Sequence, residues 1–142
     1  MGKIRKREEK EIEQIVNIWY QASSLAHPFL ETEFVEKTKK DLIDIYLPNT
    51  ETWVFEDNNW VVGFISMRGN EIGGLFVLPS YHYLGIGTQL INWVKEFHKE
   101  LEVEVFAKNT IGRAFYEKYG FTTLKNYFHR ESQNQIIRLH LK

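Results

Sequence analysis

The stretch SYHYLGIGTQLINWV, Ser80–Val94, sets Gly85 and Gly87 one residue apart between an apolar run and an amphipathic helical pattern. Glycines at a strand-to-helix passage remove the side-chain barrier. Backbone N–H groups at the positive end of the helix then stand open to an anion, usually phosphate or pyrophosphate. A Walker A loop requires Lys-Ser/Thr directly after its last glycine, and no lysine follows Gly87. A dinucleotide-binding fingerprint requires a third glycine where Leu90 stands. It also requires one strand before the loop where the pattern here gives three. Glu102 and Glu104 imitate only its downstream acid.

Other catalytic chemistries are thinned out by composition. The 142 residues include no cysteine, which removes disulfides, thiolate nucleophiles and Cys-based metal sites together. None of the five histidines falls in His-Glu-x-x-His or another ligand spacing, so no metal is expected. The net charge of −1, from 18 basic and 19 acidic residues, offers no field that favours nucleic acid or an anionic membrane. No apolar run approaches the roughly 18 residues of a membrane span, and the charged N-terminus lacks a signal-peptide core. A soluble cytoplasmic protein is the expectation.

The cradle needs elements to hold it. Ile12, Ile15, Val16 and Trp19 recur with helical spacing, which predicts a helix from about Glu8 to Ala22. The preceding KIRKREEKE reads as solvated, charged surface. After the loop SSLAHPFLET, the residues Phe34, Thr38, Leu42 and Ile45 mark a second helix that stops before Pro48. TWVFE and WVVGFISM flank Asp57-Asn58-Asn59 as a hairpin, and Gly69-Asn70 turns into a third strand, EIGGLFVL. The pair Gly73-Gly74 within it suggests a bulge or a close approach to backbone or ligand.

The helix after Gly87 takes Leu90, Val94 and Phe97 as its inner stripe, and LEVEVFA follows as a strand. In NTIGRAFYEKYGF, Asn109 or Thr110 caps a short helix and Gly120 sits at its left-handed C-cap position. Strands around Leu124–His129 and Ile136–Leu141 end the chain, the last read as an edge strand able to pair with a partner. The pattern predicts an α/β protein of the α+β type. It forms one domain over residues 1–142, with a mixed, mostly antiparallel central sheet and helices on both faces.

Two segments, taken in order with a strand between them, carry a family resemblance. His82-Tyr83-Leu84-Gly85-Ile86-Gly87, after the strand LFVLP, occupies the frame Gln/Arg-x-x-Gly-x-Gly/Ala. VFAKNTIGRAFYEKYGF supplies a strand, an Asn and a Tyr-x-x-x-Gly-Phe ending. The chain thus resembles the GNAT superfamily of acyl-CoA-dependent N-acetyltransferases along essentially its whole length, and NIWYQASSLAHPFL is similar to the first helix and loop of small bacterial members. The resemblance implies direct transfer of acetyl from acetyl-CoA to an amine, on a small molecule or a protein, by a monomer or homodimer. A non-catalytic acyl-CoA-binding or sensing module is the alternative. His82, Tyr83 and Leu84 depart from the family pattern and strip the loop of side-chain positive charge. Backbone N–H groups from Leu84 to Thr88 then carry more of the binding.

Such a transfer needs a neutral amine, a donor for the developing oxyanion and a proton for the departing thiolate. The resemblance implies Tyr116 as the acid, since the family's tyrosine points at the CoA sulfur; otherwise Tyr116 is an amphipathic helix residue like Phe115 and Tyr119. It implies Phe76, Val77 and Leu78 as the stretch whose free backbone groups bond the pantetheine and thioester, with Val77 N–H as oxyanion donor. Asn109 bonds the pantetheine arm or caps its helix. The base stays open between Glu71, which would need a pKa raised by burial among Trp and Phe side chains, His27, whose ordinary pKa is near neutral, a water relay, and no base at all for an amine that arrives neutral. The acceptor pocket is implied between Ser23–Thr32, with His27 and Phe29, and the final hairpin. Trp19 reads as core.

Overall fold

The computed structural model describes residues 2–142. Seven strands form one sheet in the order β1-β2-β3-β4-β5-β7-β6. They are β1 (Lys3–Lys6), β2 (Glu51–Asp57), β3 (Trp60–Arg68), β4 (Glu71–Val77), β5 (Leu101–Phe106), β6 (Thr122–His129) and β7 (Asn134–Leu141). All neighbours are antiparallel except β4 and β5. Helices α1 (Ile12–Ala26) and α2 (Thr32–Asp41) precede the first hairpin, α3 (Ile86–Lys95) joins β4 to β5, and α4 (Thr110–Tyr119) joins β5 to β6.

The sheet has a core cluster on each face. Ile65, Leu90, Ile91, Val94, Val103 and Val105 are buried in the cluster that contains the inner stripe of α3. Ile15, Ile18, Trp19, Val54 and Phe64 form the other beneath α1. The alternation of LEVEVF explains the division of β5: Leu101, Val103 and Val105 are buried, whereas Glu102, Glu104 and Phe106 are not.

Several expectations change. KIRK is not merely solvated surface but a strand paired with β2. Ile4 packs on the core, and Arg5 bridges Glu11 at 2.7 Å and Glu56 at 2.8 Å, so a charged run finds enough partners to join the sheet. The first α-helix starts at Ile12 and not Glu8, after a 3-10 turn in which Glu8 and Glu11 form a capping box. It runs a turn past Ala22 and closes on the His27 N–H, which donates to Ser23 O at 2.7 Å. Phe97 lies beyond the end of α3 and is 56% exposed, stacked on Trp53 instead of buried in the stripe. IIRLHLK is not an edge: β7 folds back from its hairpin with β6 and inserts against β5, so both its sides are paired. The sheet's edges are β1 and β6, and the residues of β6 are exposed nearly throughout.

The Gly73-Gly74 pair does make a bulge. Ser66 faces Gly74 and Met67 faces Ile72, so Gly73 is the extra residue. Its consequence lies on the other side of β4, which pairs with β5 only at Glu71–Glu102 and Ile72–Val103 before the two strands part.

Candidate active site

The parting of β4 and β5 opens a wedge at the centre of a cleft of about 1220 Å³. The cleft runs from Trp19, His27 and Phe34 through the wedge to Gly85–Thr88 and α4. Backbone direction within β4 follows from one bond: Leu78 N–H donates to Val62 O at 2.9 Å, toward β3. Alternation then turns the peptide groups of Val77 away from β3 and into the wedge. His82 corroborates this, because its Nε2–H donates to Val77 O at 2.8 Å. A carbonyl only accepts, so that nitrogen carries the proton. The histidine that stands in the loop's Gln/Arg position therefore ties the loop to β4, and Val77 N–H is left facing the wedge.

The two glycines serve different needs. Gly85 has φ +82° at the start of α3, with open space where a Cβ would stand. Gly87 has ordinary helical φ, but a Cβ there would lie 3.1 Å from the Phe115 ring of α4. The first intrahelical bond runs from Gln89 N–H to Gly85 O at 3.0 Å, so the amides of Ile86, Gly87 and Thr88 have no partner inside the helix. Three open amides at a helix N-terminus fit the diphosphate of CoA. Tyr83 also has positive φ, +64°, and is 95% exposed at the mouth of this cradle.

Tyr116 lies in α4 with its ring against Phe115 and Phe121 at 5.2 and 5.1 Å between centroids, and only 6% of the residue is exposed. The residue lines the cleft, and its hydroxyl has no hydrogen-bond partner among the described residues. Burial pushes the phenol above its ordinary pKa, so it stays protonated at neutral pH.

The base candidates fare differently from expectation. Desolvation pushes the Glu71 carboxyl up, but hydrogen bonds from Arg68 at 2.8 Å and Arg138 at 2.9 Å, with their charges, outweigh it. Its pKa therefore falls below the ordinary value, the opposite of what a base there requires. His27 is neutral for a different reason: burial drives its pKa down to about 4. Both of its nitrogens are engaged, Nδ1 with Ser23 Oγ at 2.9 Å and Nε2 with Asn109 Nδ2 at 3.1 Å. Asn109 is the cap, its Oδ1 accepting from Gly112 N–H at 2.8 Å.

Of the other expected residues, Phe76, Tyr83 and Thr88 line the cleft. Phe29, Leu78 and Leu84 do not. Phe29 packs behind His27 and Phe106, and Leu78 packs its side chain into the core. Leu84 is exposed. The structure adds residues that the sequence reading passed over. Phe34, Thr38, Leu42 and Tyr46 line the cleft, and no residue of α2 itself is buried. Their helical spacing was visible; it faces the cleft, with Leu42 reaching into the core beneath α1. Glu104 also lines the cleft, accepting from the Tyr127 hydroxyl at 3.0 and 3.1 Å and lying 3.3 Å from Arg138. Its signal was the alternation of LEVEVF, which puts it opposite the core.

Residues 48–123 match the family model described as an acetyltransferase (GNAT) domain. Over 119 residues the chain is 32% identical to peptidyl-lysine N-acetyltransferase YiaC of Escherichia coli, covering 83% of this chain and 82% of that protein. It is 30% identical over 119 residues to peptidyl-lysine N-acetyltransferase YjaB of the same organism, covering 83% and 80%. The solution structure of apo YjaB superposes with a TM-score of 0.88 at 26% identity, over 99% of this chain and 97% of that one. The fold is shared with the PaiA N-acetyltransferase of Thermoplasma acidophilum, solved with coenzyme A, at a TM-score of 0.79 and 19% identity over 97% and 98% of the two chains. With the wedge, the glycine cradle and the buried tyrosine in their expected order, these likenesses settle the assignment: the chain belongs to the GNAT family of acetyl-CoA-dependent N-acetyltransferases.

Proposed function

We propose that this N-acetyltransferase, acting as one domain over residues 1–142, acetylates the side-chain amine of protein lysines by direct transfer within a ternary complex. Two relatives of about equal coverage are named for peptidyl-lysine, which supports the acceptor class. So does the cleft wall: the apolar stripe Phe34, Val35, Leu42 and Tyr46 leads toward the carboxylates Glu104 and Glu71. An unbranched aliphatic chain with a terminal ammonium suits that sequence of surfaces.

The donor supplies an activated thioester acetyl group. The amides of Ile86, Gly87 and Thr88 hold its diphosphate, and Val77 N–H faces the thioester oxygen. A lysine amine has an ordinary pKa near 10.4 and arrives charged. Glu104 takes its proton: it lines the cleft with a single guanidinium at 3.3 Å, whereas Glu71 is held by two at 2.8 and 2.9 Å and both His27 nitrogens are occupied. As the N–C bond forms and the C–S bond breaks, the Tyr116 hydroxyl protonates the departing sulfur, and the second proton that the nitrogen sheds on becoming an amide returns to the phenolate.

The observation that carries this reading is Tyr116 on the cleft, protonated and with no hydrogen-bond partner for its hydroxyl among the described residues. Tyr116→Phe is expected to lower kcat on a lysine peptide about 10²–10⁴-fold. Acetyl-CoA affinity by calorimetry should stay within about threefold. Unchanged turnover would remove Tyr116 from the mechanism. Preferential acetylation of free small amines would overturn the protein-lysine acceptor.

A further inference from the structure

A hydrogen-bonded chain of three side chains joins two parts of the cleft that lie far apart in sequence. Ser23 and His27 end α1, whereas Asn109 begins α4, 82 residues after His27. Each atom's role is determined. Gly112 N–H only donates, so the Asn109 atom 2.8 Å from it is the carbonyl oxygen. Asn109 Nδ2 therefore faces His27 Nε2 and donates to it across 3.1 Å. That leaves the imidazole proton on Nδ1, which it donates to Ser23 Oγ at 2.9 Å. A charged imidazole would set N–H against N–H at the Asn109 end.

Packing leaves the chain little freedom. The His27 ring sits edge-on to Phe106 at 4.9 Å and Phe29 at 5.8 Å between centroids. A Cβ at Gly112 would stand 2.5 Å from Asn109 Nδ2, so the absence of a side chain there lets the carboxamide lie across the first turn of α4. Tyr116 follows Asn109 by about two helical turns. Phe115, beside it, is the ring that approaches Gly87 of the cradle.

We infer that His27 is a positioning residue for acetyl transfer. It locks the Asn109 cap onto α4, and this sets the Tyr116 hydroxyl at the wedge. The acceptor-side loop and the helix that carries the acid thereby become one unit. The inference rests on Tyr116 acting as the acid.

Three variants test it. His27→Phe keeps a ring for Phe106 and Phe29 but removes the acceptor. His27→Gln places a carbonyl oxygen near the Nε2 position. Asn109→Ser keeps a hydroxyl able to cap α4 but has no donor for His27. His27→Phe and Asn109→Ser are each expected to lower kcat about 10- to 100-fold, with His27→Gln recovering most of the loss. In a Tyr116→Phe background, His27→Phe should cost nothing further, because the group it positions is gone. Hydrogen exchange at Gly112 and Arg113 should speed up in His27→Phe and return in His27→Gln, a readout that needs no turnover.

Additive losses in the double variant would overturn the inference, as would unchanged exchange at the first turn of α4. If His27→Phe does not fold, Asn109→Ser decides: wild-type kcat there would also overturn it. Unchanged turnover in Tyr116→Phe would sink the acid reading and this inference together. Loss in Tyr116→Phe with none in the His27 and Asn109 variants would sink this inference alone.

Discussion

Tyr116 and Glu71 sit in one cleft under opposite influences. Tyr116 meets only apolar rings and keeps its proton, whereas Glu71 meets Arg68 and Arg138 and loses its own. The rates of two variants should separate the carboxylates that line the cleft. Glu104→Gln is expected to lower kcat/KM by about 10²–10⁴-fold. Glu71→Gln should keep most of the wild-type kcat/KM and instead lower the melting temperature, since two guanidinium groups lose their shared partner. The reverse pattern would return the base to Glu71. His27 makes a separate prediction about stability. Its folded pKa lies near 4, below its ordinary 6.5, so the unfolded chain binds more protons between those values. Stability should therefore be full above pH 6.5 and decline as pH falls toward 4, with the lowered carboxyls of Glu71 and Glu11 adding to the loss below 4.5. Urea unfolding between pH 7.5 and 5 measures the His27 part, and His27→Gln should flatten it.

At the scale of elements, the site depends on two departures from regular geometry. The bulge at Gly73 follows the short β4–β5 pairing, and beyond that pairing the backbone of Val77 faces open space. The cradle depends on α3 starting at a left-handed Gly85 and on Gly87 leaving room between α3 and α4. Gly85→Ala meets no neighbour, so its cost is conformational, about 1–2 kcal/mol. Gly87→Glu is different: its Cβ presses on Phe115, and its carboxylate would repel a diphosphate held by the neighbouring amides. Calorimetry should show acetyl-CoA binding abolished by Gly87→Glu and retained in Gly85→Ala. Retained binding in Gly87→Glu would move the diphosphate off these amides.

Across the whole molecule, the two faces of the sheet divide the work. The α3 side is closed by a continuous core, and Leu90 there has no exposed surface. Leu90→Ala should cost about 2–5 kcal/mol with the urea m-value unchanged. Opposite it, α1 covers only part of the sheet, and the β5–β7 side remains free for Glu102, Glu104 and Arg138 to pair with one another. What the sequence settled is what neighbouring residues settle among themselves. The hairpin turn at Asn58-Asn59, the Asn109 cap, the Gly120 C-cap, the bulge glycines and the cradle all depend on backbone freedom and hydrogen bonds within a few residues. Contacts between distant residues were decided by folding. The run KIRK became a strand because Glu11 and Glu56 reach Arg5, and the last strand went inside the sheet because β5 was open to it. The α2 stripe came to line a cleft, Glu71 met two guanidinium groups, and His27 met Asn109. Periodicity reveals that a face is apolar or a carboxylate is present. The charge state and purpose of that group depend on which strand, helix or arginine the topology sets against it.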